Sequence, residues 1–228
     1  MSSRVAHKII LVGAPGAGKG TVAKGLVDRF ELTHLSTGDM LRAAVSAGKE
    51  VGMLAKTYMD RGALVPDEVM VKLISERVQH SDCRNSDGSP RFLLDGFPRT
   101  LPQADALAAE GLAPDLVVFI DVPNEAVVRR LSGRRTCPSC GSVHHIEFAP
   151  PLKDGVCDRC GGGLVHRSDD HDATIRKRLD AFAAQTAPLV QRYGSVIEKV
   201  DGNQLPEVVL KAAVAVLRKH GNTGQGNI

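Results

Sequence analysis

The sequence predicts an α/β fold, a doubly wound parallel sheet with helices on both faces, and three observations predict it. An apolar run, Ile9-Ile10-Leu11-Val12, breaks into a glycine-rich turn and then into helical periodicity at Val22, Ala23, Leu26, Val27 and Phe30. Two further runs, Phe92-Leu93-Leu94-Asp95 and Leu116-Val117-Val118-Phe119-Ile120-Asp121, are apolar without alternation, as strands buried on both faces are. Helical stretches follow each of them, and that rhythm implies parallel pairing under helices on both sides. At 228 residues, one such domain with insertions accounts for the chain better than two independent domains.

The first strand ends in Gly13-Ala14-Pro15-Gly16-Ala17-Gly18-Lys19-Gly20-Thr21. Gly13, Gly16 and Gly18 remove the Cβ atoms that would keep a polyphosphate from the backbone, and the helix opening at Lys19 adds unsatisfied N–H groups and positive dipole. This is a phosphate-binding loop, and the fold class is therefore a P-loop sheet. The spacing fits G-x-x-x-x-G-K, with Gly20 at the usual hydroxyl position and Thr21 one residue later.

After the first helix, at about 19–30, His34-Leu35-Ser36 reads as a short strand. Thr37-Gly38-Asp39-Met40-Leu41-Arg42 opens a second helix capped by Ser36 or Thr37 and running to Gly48. Further helices are expected at about 51–60 and, from Pro66, to about 78, so residues 36–65 form a small helical excursion from the core. A turn-rich loop, 82–91, feeds the strand ending at Asp95. Helices at about 102–110 and 124–131 follow the two buried strands. From Gly133 to about Asp170 the α/β rhythm stops. It resumes with a helix at about 173–193, a strand at 196–200 and a last helix at about 206–218, and Gly221–Ile228 reads as a polar, disordered tail. Ligands of such sheets sit outside the carboxyl ends of the strands, where the glycine loop, Asp95 to Arg99 and Asp121 all fall.

Composition excludes several classes. The net charge of +3 announces neither nucleic acid nor an anionic membrane as partner, there is no Trp, and no apolar run nears the roughly 20 residues needed to span a bilayer. The first eight residues lead straight into a strand, leaving no room for a signal peptide, so a cytoplasmic protein is expected.

Four of the five cysteines form two pairs, Cys137-x-x-Cys140 and Cys157-x-x-Cys160, sixteen residues apart, each followed by glycine. That is zinc spacing, and four sulfurs close a tetrahedral shell with no position left for water, so the metal is expected to be structural. A redox pair is the competing reading; His144, His145 and His166 are spare candidate ligands. Asp95 closes a strand beside the phosphate loop, where a carboxylate can hold magnesium, mainly through water, or else cap a helix; Asp121 stands evenly between such roles. Arg42, Arg99, Arg134, Arg167 and Arg178 are candidates for the planar cations that neutralise a transferring phosphoryl group, although each taken singly reads as a solvated or salt-bridged surface residue.

In combination, Gly13–Thr21, Ser36–Arg42, Leu94–Thr100, Gly133-Arg134-Arg135 and Asp172–Arg178 resemble the adenylate kinases of the long-lid bacterial type, and the resemblance covers about residues 8–219. The G-K-G-T order of that family explains the displaced hydroxyl. The resemblance implies a core P-loop domain (1–35, 66–132 and 171–228), a nucleoside-monophosphate-binding insertion (36–65) and a zinc-binding lid (133–170). It implies an ATP site at Gly16, Ala17, Gly18, Lys19, Gly20, Thr21, Arg134, Val143, His144 and Gln204. An AMP site follows at Thr37, Arg42, Leu64, Val65, Gly96, Phe97, Pro98, Arg99, Gln103, Arg167 and Arg178. Lys19, Arg99, Arg134, Arg167 and Arg178 act on the phosphates, Asp95 on magnesium, Asp169 and Asp170 in lid closure, and Cys137, Cys140, Cys157 and Cys160 hold zinc. The implied reaction turns Mg-ATP and AMP into two ADP in a monomer, with no nucleic acid or membrane partner. Another nucleoside monophosphate, GTP as donor, a P-loop ATPase with a zinc nucleic-acid-binding module, and a nucleotide-binding regulator without turnover are the alternatives. The carboxamide of Gln103 suits an adenine edge in one orientation and a guanine edge when flipped.

Overall fold

The computed structural model describes residues 7–222. Residues 1–6, at the expected leaderless start, and 223–228, most of the expected tail, lie outside the described residues.

Strand β1 (Lys8–Val12) pairs in parallel with β3 (Phe92–Asp95) on one side and β4 (Leu116–Asp121) on the other. β2 (Thr33–Ser36) adds to β3, and β7 (Ile197–Asp201) to β4, giving an all-parallel order β2-β3-β1-β4-β7. The continuous apolar runs exist because both faces are covered. Ile9 and Leu11 join Leu93, Val118 and Ile120 in one core with Val22, Ala23 and Leu26 of α1 (Lys19–Phe30), Val127 of α6 (Asn124–Ser132) and Ala213 of α9 (Pro206–Asn222). Ile10 and Val12 face the other way, onto Leu35, Phe92, Leu94 and Val117. There they meet Leu41 of α2 (Thr37–Ser46), Ala55 of α3 (Glu50–Met59), Ile74 of α4 (Asp67–Arg77), Leu107 of α5 (Leu101–Ala109) and Leu189 of α8 (Leu189–Arg192). A period of two thus splits one run between two cores.

Ser36 is the cap of α2, its hydroxyl accepting the Asp39 N–H at 3.4 Å. Residues 134–145 form an antiparallel pair, β5 (Arg134–Thr136) and β6 (Val143–His145), outside the main sheet.

Two expectations are corrected. The helix expected over 173–193 is three pieces: α7 (Asp172–Ala181), a π turn (Phe182–Thr186) and α8. Pro188 has no N–H and its ring crowds the carbonyl four residues back, so the ladder opens ahead of it and the Ala187 N–H reaches the Phe182 carbonyl at 2.9 Å. The last helix continues to Asn222 rather than ending near 218, taking the first two residues of the expected tail into the helix.

Candidate nucleotide site and cysteine cluster

Because the five strands are parallel, Val12, Ser36, Asp95, Asp121 and Asp201 end on one edge of the sheet. The loop from Gly13 to Gly18 leaves β1 there and turns into α1. Gly16 sits at φ +79°, and a Cβ on it would lie 2.7 Å from Leu131, so neither the conformation nor the packing admits a side chain. Lys19 folds back across the loop, its Nζ donating to the carbonyls of Gly13 (2.8 Å) and Ala14 (2.9 Å). Burial lowers its pKa to about 8; Asp95 opposes the shift, while Arg99, Arg178 and Arg134 add to it. Those four groups therefore share one field with Lys19. Thr21 follows in the first turn of α1, its N–H bonded to the Gly18 carbonyl.

The next strand end carries a second cradle. Gly96 has φ +82°, and a Cβ there would lie 2.9 Å from both Arg99 Nη2 and Thr37 Oγ1, so its lack of a side chain lets those groups converge. Thr37 is buried and donates to the Gly96 carbonyl at 2.9 Å; Arg99 Nε donates to the same oxygen at 2.7 Å. Burial brings Arg99 down to about 10, with Arg178 contributing. Phe97 is buried, and the Phe97–Pro98 peptide is cis. Arg42 reaches over Gly38 to Asp39 Oδ1 at 2.6 Å. Val65 is buried; Leu64 lines a cleft of about 370 Å³ with Tyr58, Lys177 and Gln185. Gln103 is buried, with both ends of its amide engaged: Oε1 accepts the Arg99 N–H and Nε2 donates to Asp67 Oδ1, each at 2.7 Å.

Arg134 binds Asp170 with both arms, Nε at 2.7 Å and Nη2 at 2.6 Å. Arg178 meets Asp169 Oδ2 at 2.9 Å and Asp170 Oδ1 at 3.1 Å, and donates to the Asp169 carbonyl. Asp170 is fully buried, so these two guanidiniums are its required counter-charges. Burial raises the Asp169 carboxyl, but Arg178, Arg134, Arg42 and Arg167 together hold it below its ordinary value. Arg167 donates to Thr136 Oγ1 at 2.9 Å, and burial lowers it to about 10, helped by Arg134 and Arg42. Just after Arg167, Ser168 Oγ reaches Asp60 Oδ1 at 2.9 Å, joining the end of the 133–170 segment to the end of α3.

Asp95 is nearly buried. Its Oδ2 lies 3.4 Å from His34 Nε2, and a Cβ on Gly20 would fall 3.6 Å from that same oxygen. This carboxylate faces the start of α1 and fits a water-shelled magnesium ion there. Asp121 instead pairs with Lys199 at 2.7 Å, half exposed, which resolves its ambiguity toward a surface ion pair.

Val143, His144 and Gln204 make their polar contacts elsewhere. Val143 is exposed on β6, His144 Nδ1 lies 3.7 Å from Asp158, and Gln204 Nε2 donates to Asp201 at 2.8 Å; among the described residues no hydrogen bond or ion pair joins them to the phosphate loop.

The sulfurs of Cys137, Cys140, Cys157 and Cys160 all lie within 4.8 Å of one another, Cys137 to Cys160 at 3.4 Å and Cys140 to Cys157 at 3.6 Å. Tetrahedral zinc with bonds near 2.3 Å requires sulfurs about 3.8 Å apart, so the four residues fit that ion. Hydrogen bonds from Ser142 draw the Cys140 thiol down to about 6. Cys160 is pushed up to about 12 by Cys140 and Cys137, against the lowering effect of the Gly162 backbone. His145 is engaged elsewhere, stacked on Phe148 with its Nδ1 accepting two backbone N–H groups, and His166 packs edge-on against His171.

Sequence reading missed the groups that hold the site residues in place. Asp39 meets Arg42 as an i,i+3 pair within α2, a spacing visible in the chain, whereas His34 and Asp67 sit at ordinary strand and helix-end positions and only the tertiary fold brings them against Asp95 and Gln103.

The family model described as Adenylate kinase matches residues 11–197. The chain belongs to the adenylate kinase family. It is 46% identical over 218 residues to the adenylate kinase of Carboxydothermus hydrogenoformans, covering 93% of this chain and all of that one. Identity is 45% to the adenylate kinase of Lachnospira eligens (92% and 99% covered) and 44% to that of Thermodesulfovibrio yellowstonii (93% and 99% covered). As a member of this family the chain is a nucleotide-binding phosphotransferase, a nucleoside monophosphate kinase, and adenylate kinases use Mg²⁺ with ATP. Among the described residues no helix is long and apolar enough to cross a membrane.

Proposed function

We propose that this enzyme transfers the terminal phosphoryl group of Mg-ATP to AMP, reversibly, giving two ADP. The observation that carries the reading is that Lys19 at the glycine loop, Arg99 in the Gly96 turn, and Arg134 and Arg178 joined through Asp170 form one charged neighbourhood with Asp95, close enough for each to act on Lys19. Phosphoryl transfer asks little covalent help of a protein; it asks for in-line alignment and for cations around the moving charge. The acceptor is already an anionic phosphate oxygen, so no general base is needed.

In this reading, Gly16 to Thr21 hold the ATP phosphates and Lys19 leaves the Gly13 and Ala14 carbonyls for the transferring group. Thr37, Arg42, Gly96, Arg99 and Gln103 hold AMP, with Leu64 and Val65 at its base and Phe97 and Pro98 shaping the turn. Arg167, Arg134 and Arg178 bridge the two nucleotides. Asp95 would hold magnesium through water, and the ion would supply positive charge to the phosphates of bound ATP. Val143, His144 and Gln204 meet the ATP base. Residues 1–35, 66–132 and 171–228 are the core, 36–65 the monophosphate-binding insertion, and 133–170 a zinc-bearing lid fastened through Asp169 and Asp170. Closure of both insertions excludes water, which would otherwise hydrolyse ATP. The enzyme works as a cytoplasmic monomer without nucleic acid or membrane partners. The cysteine segment is short and holds no Tyr or Trp, and with Phe148 as its one phenyl ring beside Arg134, Arg135 and Arg159 it makes a poor stacking surface for single strands.

Initial rates with Mg-ATP and AMP, GMP, CMP or UMP, plus a control without acceptor, test this. Rapid, reversible formation of ADP from AMP alone is the expected result. Acceptor-free hydrolysis stimulated by DNA or RNA would overturn it.

A further inference from the structure

Asp67 lies in the first turn of α4, where a carboxylate ordinarily serves the helix dipole, yet both of its oxygens point away from its own helix. Oδ1 accepts from Gln103 Nε2 at 2.7 Å and Oδ2 accepts from Thr100 Oγ1 at 3.0 Å. Thr100 caps α5 and accepts the Gln103 N–H at 3.3 Å, so its hydroxyl has its donor committed to Asp67 and its acceptor to Gln103. On the other side of the amide, Gln103 Oε1 accepts the Arg99 N–H at 2.7 Å. Gln103 and Thr100 are both buried.

A primary amide reads the same shape in two opposite polarities, and the neighbours decide which one is presented. Here a carboxylate stands against the NH2 end and an N–H against the oxygen. Turning the amide over would set Oε1 against the Asp67 carboxylate and Nε2 against the Arg99 N–H, two repulsive contacts in a buried site. In the pinned orientation the amide has one lone pair on Oε1 and one N–H on Nε2 left to offer. That pair accepts from an exocyclic amino group and donates to an unprotonated ring nitrogen, the pattern of a 6-amino purine. A 6-oxo purine presents the reverse, a carbonyl beside a ring N–H.

We propose that Asp67 is a positioning residue for acceptor selectivity: by fixing the polarity of the Gln103 amide it makes the monophosphate site choose a 6-amino over a 6-oxo purine nucleotide. This rests on the reading of Gln103 as the residue that meets the base of AMP. The backbone N–H of Arg99 supplies half of the pin and cannot be mutated away; Asp67 supplies the half that a substitution can reverse.

The test compares kcat/KM for AMP and for inosine monophosphate, which differs at the 6 position and has no 2-amino group to confuse the result. Asp67→Asn keeps the shape and can turn its own amide to match a flipped Gln103, so it is expected to lower the AMP-to-IMP ratio about tenfold. The loss should appear mainly in the nucleotide monophosphate KM, with the KM for Mg-ATP unchanged. Asp67→Ala should lower the ratio as well, with a larger loss on AMP. An equal loss on both acceptors in Asp67→Asn, or an unchanged ratio in both variants, would mean that Asp67 is only structural and would overturn the proposal. If the wild-type enzyme itself fails to phosphorylate AMP, it is the AMP reading that fails.

Discussion

The sheet core and the cysteine-bearing segment are held together by different physics. In the core, Ile9, Leu26, Leu93, Leu116, Val118 and Ile120 are all fully buried, and each face of the sheet carries its own apolar cluster. Between residues 133 and 168 the buried side chains are Thr136, Cys137 and Cys157, while Val143, Ile146, Phe148, Leu152 and Val165 lie exposed. Sulfur occupies the place that hydrocarbon fills elsewhere. A segment of this kind has no apolar centre to collapse upon, and on the proposed reading its order rests on a metal held by the four sulfurs. The contrast also separates the chemistry, since Lys19 at the start of α1, Asp95 at the end of β3 and Arg99 in the turn after it belong to the core, whereas Arg134 and Arg167 stand at the two ends of the segment.

The largest expected effect breaks the comparison at the cysteines. Structural zinc contributes about 10 to 16 kcal/mol of folding free energy in small peptides, so Cys157→Ser, or exhaustive chelation, should melt 133–168 while leaving the core transition in place. Limited proteolysis should then cut within that segment alone, and metal analysis of the untreated protein should find one zinc per chain. Cleavage spread evenly through the core strands would show that the two regions fold as one unit.

Next in size is Lys19→Met, which should lower kcat by about 10³-fold, some 4 kcal/mol, while the thermal transition barely moves. Burial already disfavours the ammonium, so its removal costs the fold little. The same depressed pKa, about 8 against 10.5, predicts a falling alkaline limb. Lys19 is charged below that value and loses its proton as pH rises through it, so kcat/KM for Mg-ATP in the free enzyme should decline above about pH 8. Arginine at position 19 should remove that limb from the pH profile.

What was legible in the chain follows the range of the interactions. The buried strands, the glycine loop and the paired cysteines are local patterns, set by neighbours within a few residues. The break after Ala181 was obscured because apolar periodicity runs straight across Pro188. There Thr186 turns in to donate to the Arg99 carbonyl, 87 residues away in the chain. The polarity of Gln103 was open for the same reason: Asp67, which fixes it, is 36 residues away on another helix. Long-range polar partners carry no periodicity, so they become readable only after the fold has placed them.

The smallest effect sharpens the comparison most directly, because it asks the same substitution of both regions. Leu26 is fully buried between α1 and the sheet, and Leu26→Ala leaves a cavity in a close-packed environment, expected to cost about 2 to 5 kcal/mol by denaturant unfolding. Leu152 is 94% exposed, and Leu152→Ala should change stability by less than about 0.5 kcal/mol. Should Leu152→Ala instead cost as much as Leu26→Ala, the segment must bury that side chain in solution. Its order would then rest on an apolar contact as well as on sulfur.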